Sequence, residues 1–202
     1  MTPDEISACV QGRQFMTREQ AHLVRGFLRF FGLKSLLELG HMHGASTCQL
    51  AAAAATIGGS LTTIDVAHYL PSVEENLARC GLENVTIYVE SESAGGEWRL
   101  LKLLEAGVQY DFIYIDARHL WTPCAADFVM SAQLLRSGGW LLFDDLRLDH
   151  AGYPDDCSWI KPMSAEERGT RQVGKVWQHI VKPDARFHNF TEHGNWGFCQ
   201  KR

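Results

Sequence analysis

The chain has 202 residues, 46% of them hydrophobic, and a formal net charge of −5 from 19 Lys+Arg against 24 Asp+Glu. That length buries a sizeable core within one domain, and the absence of any basic run argues against a nucleic-acid partner, which needs a cationic face. The six cysteines (Cys9, Cys48, Cys80, Cys124, Cys157 and Cys199) form no CxxC pair, which argues against a zinc cluster and reads as buried reduced thiols in a cytosolic protein.

Taken in chain order, the N-terminal MTPDEISACVQGRQF lacks a positively charged start followed by an apolar stretch, so no signal or transit peptide is expected. The longest apolar run, around Leu50 to Ala55, is far too short to span a bilayer, and a cytoplasmic protein without membrane partners is the expectation. Thr17 to Phe31 reads as an amphipathic helix capped by Thr17. Five short apolar runs follow: Ser35–Leu39, Ser60–Ile64, Val85–Val89, Tyr110–Ile115 and Trp140–Phe143. Between them, Ala45–Thr56, Pro71–Cys80, Glu97–Ala106 and Pro123–Arg136 have helical periodicity. Thr122 is expected to cap the last of these, with Gly138 and Gly139 as its stop. Apolar strands alternating with helices predict a parallel sheet covered on both faces.

After the fifth strand comes an irregular stretch, Leu146 to Thr170, rich in Asp, Pro and aromatic residues. A helix near Gln172–Val181 follows, then two short strands, Arg186–Phe190 and Trp196–Gln200, joined by His193-Gly194-Asn195. So tight a connection makes the last two antiparallel. The expected fold is therefore α/β: a doubly wound, mostly parallel sheet of about seven strands with a C-terminal antiparallel hairpin. We expect one domain over 1–202, with 1–32 as an N-terminal helical segment and 146–170 as a candidate substrate lid.

Four features carry chemistry. "LLELGHMHGAS" places Glu38 at the end of the first strand, with Gly40 and Gly44 behind it; such glycines let the chain turn sharply and let a ligand approach the backbone. The spacing is not the GxGxxG of a dinucleotide pyrophosphate site. His41 and His43 have no acidic or cysteine neighbours at ligand spacing and read as loop residues beside the cofactor. Asp65 ends the second strand, where an acidic side chain can accept ribose hydroxyls. Asp116 closes YDFIYID, and Asp144 and Asp145 close WLLFDD. Carboxylates at the carboxyl ends of neighbouring strands share one crevice, and such charge calls for a divalent cation bound through oxygen. Neighbouring side chains point to opposite faces of a regular strand, so the chain must bend at Asp144-Asp145 if both bind. His119, three residues after Asp116, sits on the crevice rim as a candidate general base. Trp121, Tyr153 and Trp159 are candidate walls of a substrate pocket.

Together these residues resemble the class I S-adenosylmethionine-dependent methyltransferases. The match covers about Ser35 to Asp145 well, and the Rossmann-like methyltransferase fold is the fold it implies. By that resemblance Glu38, Gly40, Gly44 and Ser46 line the cofactor, Asp65 binds the ribose, and Ser91 and Glu92 sit by the adenine. "IDARH" and "LLRSGGWLLFDD" are similar to the metal-dependent O-methyltransferases of the catechol and macrolide-sugar types. The resemblance implies Mg2+ or another divalent cation at Asp116, Asp144 and Asp145, with Asp116 also facing the cofactor. His119 matches the histidine base of the macrolide-sugar type; no lysine stands where catechol enzymes carry theirs.

The activity these features imply is metal-assisted O-methylation of a small-molecule hydroxyl. Dimers are common among such enzymes, and a homodimer is carried as an expectation although no interface is legible. Three alternatives stay open: a cofactor-fold binding or assembly module without chemistry, a nicotinamide-dependent oxidoreductase on a related fold, and a metal-independent methyltransferase acting on a macromolecule.

Overall fold

A computed structural model of the chain describes residues 1–12, 14–90, 96–157 and 160–202. The elements run α1 (Pro3–Cys9), α2 (Arg18–Phe31), β1 (Ser35–Leu39), α3 (Ala45–Ala55), β2 (Ser60–Val66), α4 (Leu70–Arg79), β3 (Val85–Glu90), α5 (Glu97–Glu105), β4 (Tyr110–Ile115), α6 (Trp121–Leu134) and β5 (Leu135–Phe143). The chain closes with α7 (Ala165–Gly169), α8 (Gln172–Val176), β6 (Phe187–His193) and β7 (Trp196–Lys201). The strands form one seven-stranded sheet in the order β3-β2-β1-β4-β5-β7-β6. The first five are parallel, and β7 runs antiparallel to both β5 and β6. The doubly wound, mixed-edge sheet anticipated from the apolar runs is the one observed. Among the described residues, no helix is long and apolar enough to cross a membrane.

Strand residues alternate between two apolar layers, as the pleat requires. Leu37, Leu39, Ile113, Ile115, Leu141 and Phe143 pack with α5, α6 and α8 on one face. Leu36, Phe112, Tyr114, Trp140 and Leu142 pack with α2 and α3 on the other. On α2, Ala21, Val24 and Leu28 form the buried stripe, and burying the Val or Leu side chain contributes about 1.5–3 kcal/mol each. Thr17 caps α2: its hydroxyl oxygen accepts from the Gln20 amide, and its own amide donates to the Gln20 side-chain oxygen. In α3 the alanines at 51–54 are all buried, because α1, α2 and the sheet surround this helix and only small side chains allow that approach.

Two sequence expectations are corrected. Thr122 does not cap α6: the helix begins at Trp121, two residues before the expected Pro123, its N-cap Leu120 has no capping side chain, and Gln172 Oε1 from α8 accepts from the Trp121 amide at 2.8 Å instead. Nor does that helix run to Arg136. It ends at Leu134 and the chain enters β5 directly; the pairing with β4 then jumps from Tyr110↔Leu135 to Phe112↔Trp140. Gly138 and Gly139 thus make an irregularity inside the β5 ladder and not a helix stop. The helix expected over Gln172–Val181 is α8 continued by a wider π-type turn, Trp177–Val181. Helix α1 falls within the segment 1–32 expected to be helical, although its own bounds, set by the reciprocal cap of Thr2 and Glu5 around Pro3, were not read from the sequence.

The register sets the functional edge. Leu39 pairs with Ile64 on one side and Ile115 on the other, and Ile115 pairs with Phe143. The next residues, Gly40, Asp65, Asp116 and Asp144, therefore emerge in one row at the carboxyl end of the sheet. Gly40 has φ of +91°, and a Cβ there would lie 2.2 Å from the Asp116 carbonyl oxygen. Gly58 also has positive φ, at +66°, but open space around it. The left-handed conformation alone costs an L-residue about 1–2 kcal/mol. Gly58→Ala is accordingly expected to cost about 1 kcal/mol in urea unfolding, and Gly40→Ala on the order of 3 kcal/mol or more, because overlap with backbone is added to the strain.

Candidate active site

The loop after β1 turns on Gly40 and enters α3 at Gly44, whose φ is +83°. A Cβ at Gly44 would come within 3.1 Å of Val73 Cα, so α4 presses directly on this turn. Asp65 ties the loop to β2: its Oδ2 accepts from the amides of His41 (2.8 Å) and Met42 (2.7 Å), and its Oδ1 from the Val66 amide at 2.7 Å. A carboxylate offers about four acceptor positions, and three are engaged in shaping the loop. His41 is turned into the interior, its Nδ1 lying 3.2 Å from Thr63 Oγ1; His43 packs edge-on against Tyr69. Among the described residues, neither joins a metal-binding group.

Glu38 lies beneath the loop with no exposed surface. Its Oε2 accepts from Thr47 Oγ1 at 2.6 Å and Thr63 Oγ1 at 2.8 Å, and the Ser46 side chain also favours its ionised form. Oε1 has no hydrogen-bond partner among the described residues. Burial, opposed by the hydroxyl donors and reinforced by the charge on Asp65, pushes this carboxyl up to about 7. Glu38 thus joins β1 to α3 and β2 under the glycine turn.

The tips of β4 and β5 bring the acidic residues together. Asp116, His119 and Asp145 each present a ligand atom within 4.8 Å of the others. His119 Nδ1 lies 3.2 Å from Asp145 Oδ2. The chain does bend at the acidic pair: β5 ends at Phe143, and Asp145 takes a left-handed φ of +58°. Asp144 stands behind this cluster. The Tyr114 hydroxyl donates to Asp144 Oδ2, and Asp144 Oδ1 accepts from the Asp145 amide at 2.7 Å. Tyr114 also lies 3.1 Å from Asp116 Oδ2, so one phenolic proton serves two carboxylates. Burial, then the charges of Asp144 and Asp145, raise Asp116 well above the ordinary carboxylate range. Asp145 is pushed up to about 6 by burial and by Asp144. Burial lowers His119, against the pull of Asp144. Hard oxygen donors around a partly dry pocket suit a divalent cation, and one would relieve the mutual repulsion.

Two contributors were missed in the sequence. Tyr114 reads as another apolar member of YDFIYI. Asn195 arrives from the β6–β7 turn, where its side chain donates to Asp145 Oδ1 and accepts from the Arg147 amide at 2.8 Å. The antiparallel pairing Phe143↔Gly197 puts that turn beside the β5 tip, a placement that only the strand order reveals.

Two cavities flank the cluster. One lies between the carboxyl ends of β1, β2 and β4, walled by Leu39, Ile64, Val66 and Ala117, with Asp65 and Asp127 also lining it. Ser91 and Glu92, expected by the adenine, lie outside the described residues. The other is a groove of about 610 Å³ beginning at Leu120, lined by Trp121, Pro123, Pro162, Met163 and Lys175. Within the stretch 146–170, His150 and Ile160 are buried and the His150 amide donates to the Arg168 carbonyl at 2.8 Å. Tyr153 belongs to the same stretch, its carbonyl accepting from Arg168 Nη2 at 2.7 Å; Trp159 lies outside the described residues.

A methyltransferase-domain family model matches residues 37–146, more than half of the chain, and the protein belongs to that family. None of the curated proteins matches the sequence. Among solved structures, an O-methyltransferase from Bacillus cereus in complex with SAH aligns with a TM-score of 0.73 at 17% identity, covering 100% of this chain and 90% of that one. The SAH-bound Podospora anserina methyltransferase PaMTH1 gives 0.71 at 17%, covering 100% and 95%. The O-methyltransferase TomG from Streptomyces achromogenes, involved in tomaymycin synthesis and in complex with SAM, gives 0.69 at 19%, covering 92% and 80%. At these identities the likeness establishes a shared fold.

The raised Glu38 carboxyl has a consequence for stability. The folded chain holds its proton up to about 7, whereas the unfolded side chain releases it near 4.5. Folding therefore takes up a proton across that window, and stability falls as pH rises through it. Measured by denaturant unfolding, Glu38→Gln is expected to gain on the wild type, on the order of 2 kcal/mol, between about pH 5 and about pH 7.5.

Proposed function

We propose that the protein transfers the methyl group of S-adenosylmethionine to a hydroxyl oxygen of a small molecule, assisted by a divalent cation, with His119 as general base. The observation that carries this reading is the meeting of Asp116, His119 and Asp145 at the β4 and β5 tips, one strand away from a glycine loop organised by Asp65, in a chain of the methyltransferase-domain family. In the transfer the methyl carbon leaves sulfur as it bonds to the acceptor oxygen, and the oxygen loses its proton. The work left to the protein is positioning and proton acceptance.

Gly40, Gly44 and Ser46 would form the floor for the methionine part of the donor, braced from below by Glu38, and Asp65 would offer its remaining acceptor capacity to the ribose. Asp116 and Asp145 would hold the cation, with Asp144 behind them keyed by Tyr114. Magnesium fits this donor set through its carboxylate oxygens. A cation held there supplies positive charge that lowers the pKa of a hydroxyl brought beside it.

His119 takes the proton. Its Nδ1 faces Asp145, so an ionised Asp145 holds the Nδ1–H tautomer and leaves the Nε2 lone pair for the acceptor hydroxyl. A second reading makes His119 a third cation ligand, since a ring nitrogen lies within 4.8 Å of both carboxylates. The groove beside Trp121 would receive the acceptor. We read 1–202 as one methyltransferase domain, with 146–170 closing over that groove.

Calorimetric titration with S-adenosylhomocysteine and then Mg2+ tests both halves of the site. The wild type is expected to bind both, and Asp116→Asn to weaken the ion about tenfold or more while leaving S-adenosylhomocysteine affinity within about threefold. In His119→Ala, retained ion affinity with turnover reduced about 100-fold or more identifies the base; loss of the ion identifies a ligand.

A further inference from the structure

The cavity between β1, β2 and β4 has mostly apolar walls, with Arg118 and two carboxylates, Asp65 and Asp127, among its lining. Asp65 belongs to the cofactor loop. Asp127 comes from α6, where it sits on the buried face with Cys124, Phe128 and Ser131. A carboxylate on the core side of a helix is unusual, because burial of its charge needs a partner. It is 2% exposed, and its partnering is incomplete. Oδ1 lies 3.5 Å from Arg118 Nη2, a long contact, and the Arg118 guanidinium is held more closely by Glu97. Oδ2 has no hydrogen-bond partner among the described residues. Burial accordingly pushes the Asp127 carboxyl up to about 7 in spite of Arg118.

The side chains of Leu39, Ile64, Val66 and Ala117 offer apolar surface to the face of a ring, and a hydrogen-bond donor on its edge would satisfy the unpartnered Asp127 oxygen. Building on the donor assignment above, we propose that Asp127 reads the base of the adenosyl group, accepting a hydrogen bond from the exocyclic 6-amino group of adenine. It is thereby a specificity-determining residue for the methyl donor. Ionised, Asp127 discriminates by chemistry: a 6-oxo purine presents an acceptor at that position, and two acceptors facing each other leave both unpaired in a desolvated site. Arg118, itself held by Glu97, faces the other oxygen of this carboxylate at 3.5 Å.

The test compares binding of S-adenosylhomocysteine with that of S-inosylhomocysteine, which differs at this edge, to the wild type, Asp127→Asn and Asp127→Leu by calorimetry. Thermal unfolding of each variant checks folding. The wild type is expected to prefer the 6-amino ligand by about tenfold or more. An asparagine amide can donate as well as accept, so Asp127→Asn is expected to bring the two affinities to within about threefold. Asp127→Leu, if folded, is expected to lose the preference mainly by weakening S-adenosylhomocysteine. A folded Asp127→Asn that keeps the wild-type preference overturns the assignment while leaving the donor intact. A wild type that binds neither ligand overturns the donor reading and this inference with it.

Discussion

Crowded negative charge at the carboxyl edge of the sheet is the constraint around which this structure is arranged. Three aspartates stand at the ends of two adjacent apolar strands, and the register of β4 with β5 sets those ends side by side. The surrounding residues relieve that charge in part. Tyr114 supplies one proton between Asp116 and Asp144, the Asp145 amide closes on Asp144, and Asn195 and His119 attend to Asp145. The left-handed turn at Asp145 is the backbone's share: it directs one acid of the pair toward His119 while the other stays with Tyr114. What is left over is a pair of carboxylates beside an imidazole.

The other half of the edge is shaped by hydrogen bonds more than by charge. Asp65 draws in the amides of the glycine loop, and Glu38 anchors the same loop from below through two threonine hydroxyls. Both acids lie in positions where the resemblance implies contact with a cofactor, and both are already engaged by the protein. These bonds fix the course of the loop, and a loop already ordered has less conformational freedom to lose when anything settles on it.

What could be read in advance and what could not divides along a physical line. Apolar periodicity and glycine punctuation are local properties, so the five parallel strands, their helices and the closing hairpin were legible, and so were Gly40, Asp65, Asp116, Asp144, Asp145 and His119 as residues of one edge. The missed features are long-range. Tyr114 looks like core filling until the hydroxyl is seen to reach the strand tips. Asn195 is a turn residue whose partner lies 50 positions away. Asp127 falls in a helix where an acid would ordinarily face water. The boundary of α6 failed for a related reason: Gly138-Gly139 carries the same signal for a helix stop as for a strand irregularity, and only pairing with β4 decides between them.

The close approach of Gly40 to the Asp116 backbone joins these two halves. The turn that would cradle the donor and the strand tip that carries the acids touch main chain to main chain, with no side chain between them to absorb a shift. They are in effect one rigid casting. A designer transplanting the glycine loop from a relative would therefore have to move the segment around Asp116 in the same block, or accept that a gain in grip on one ligand throws the seat of the other out of true.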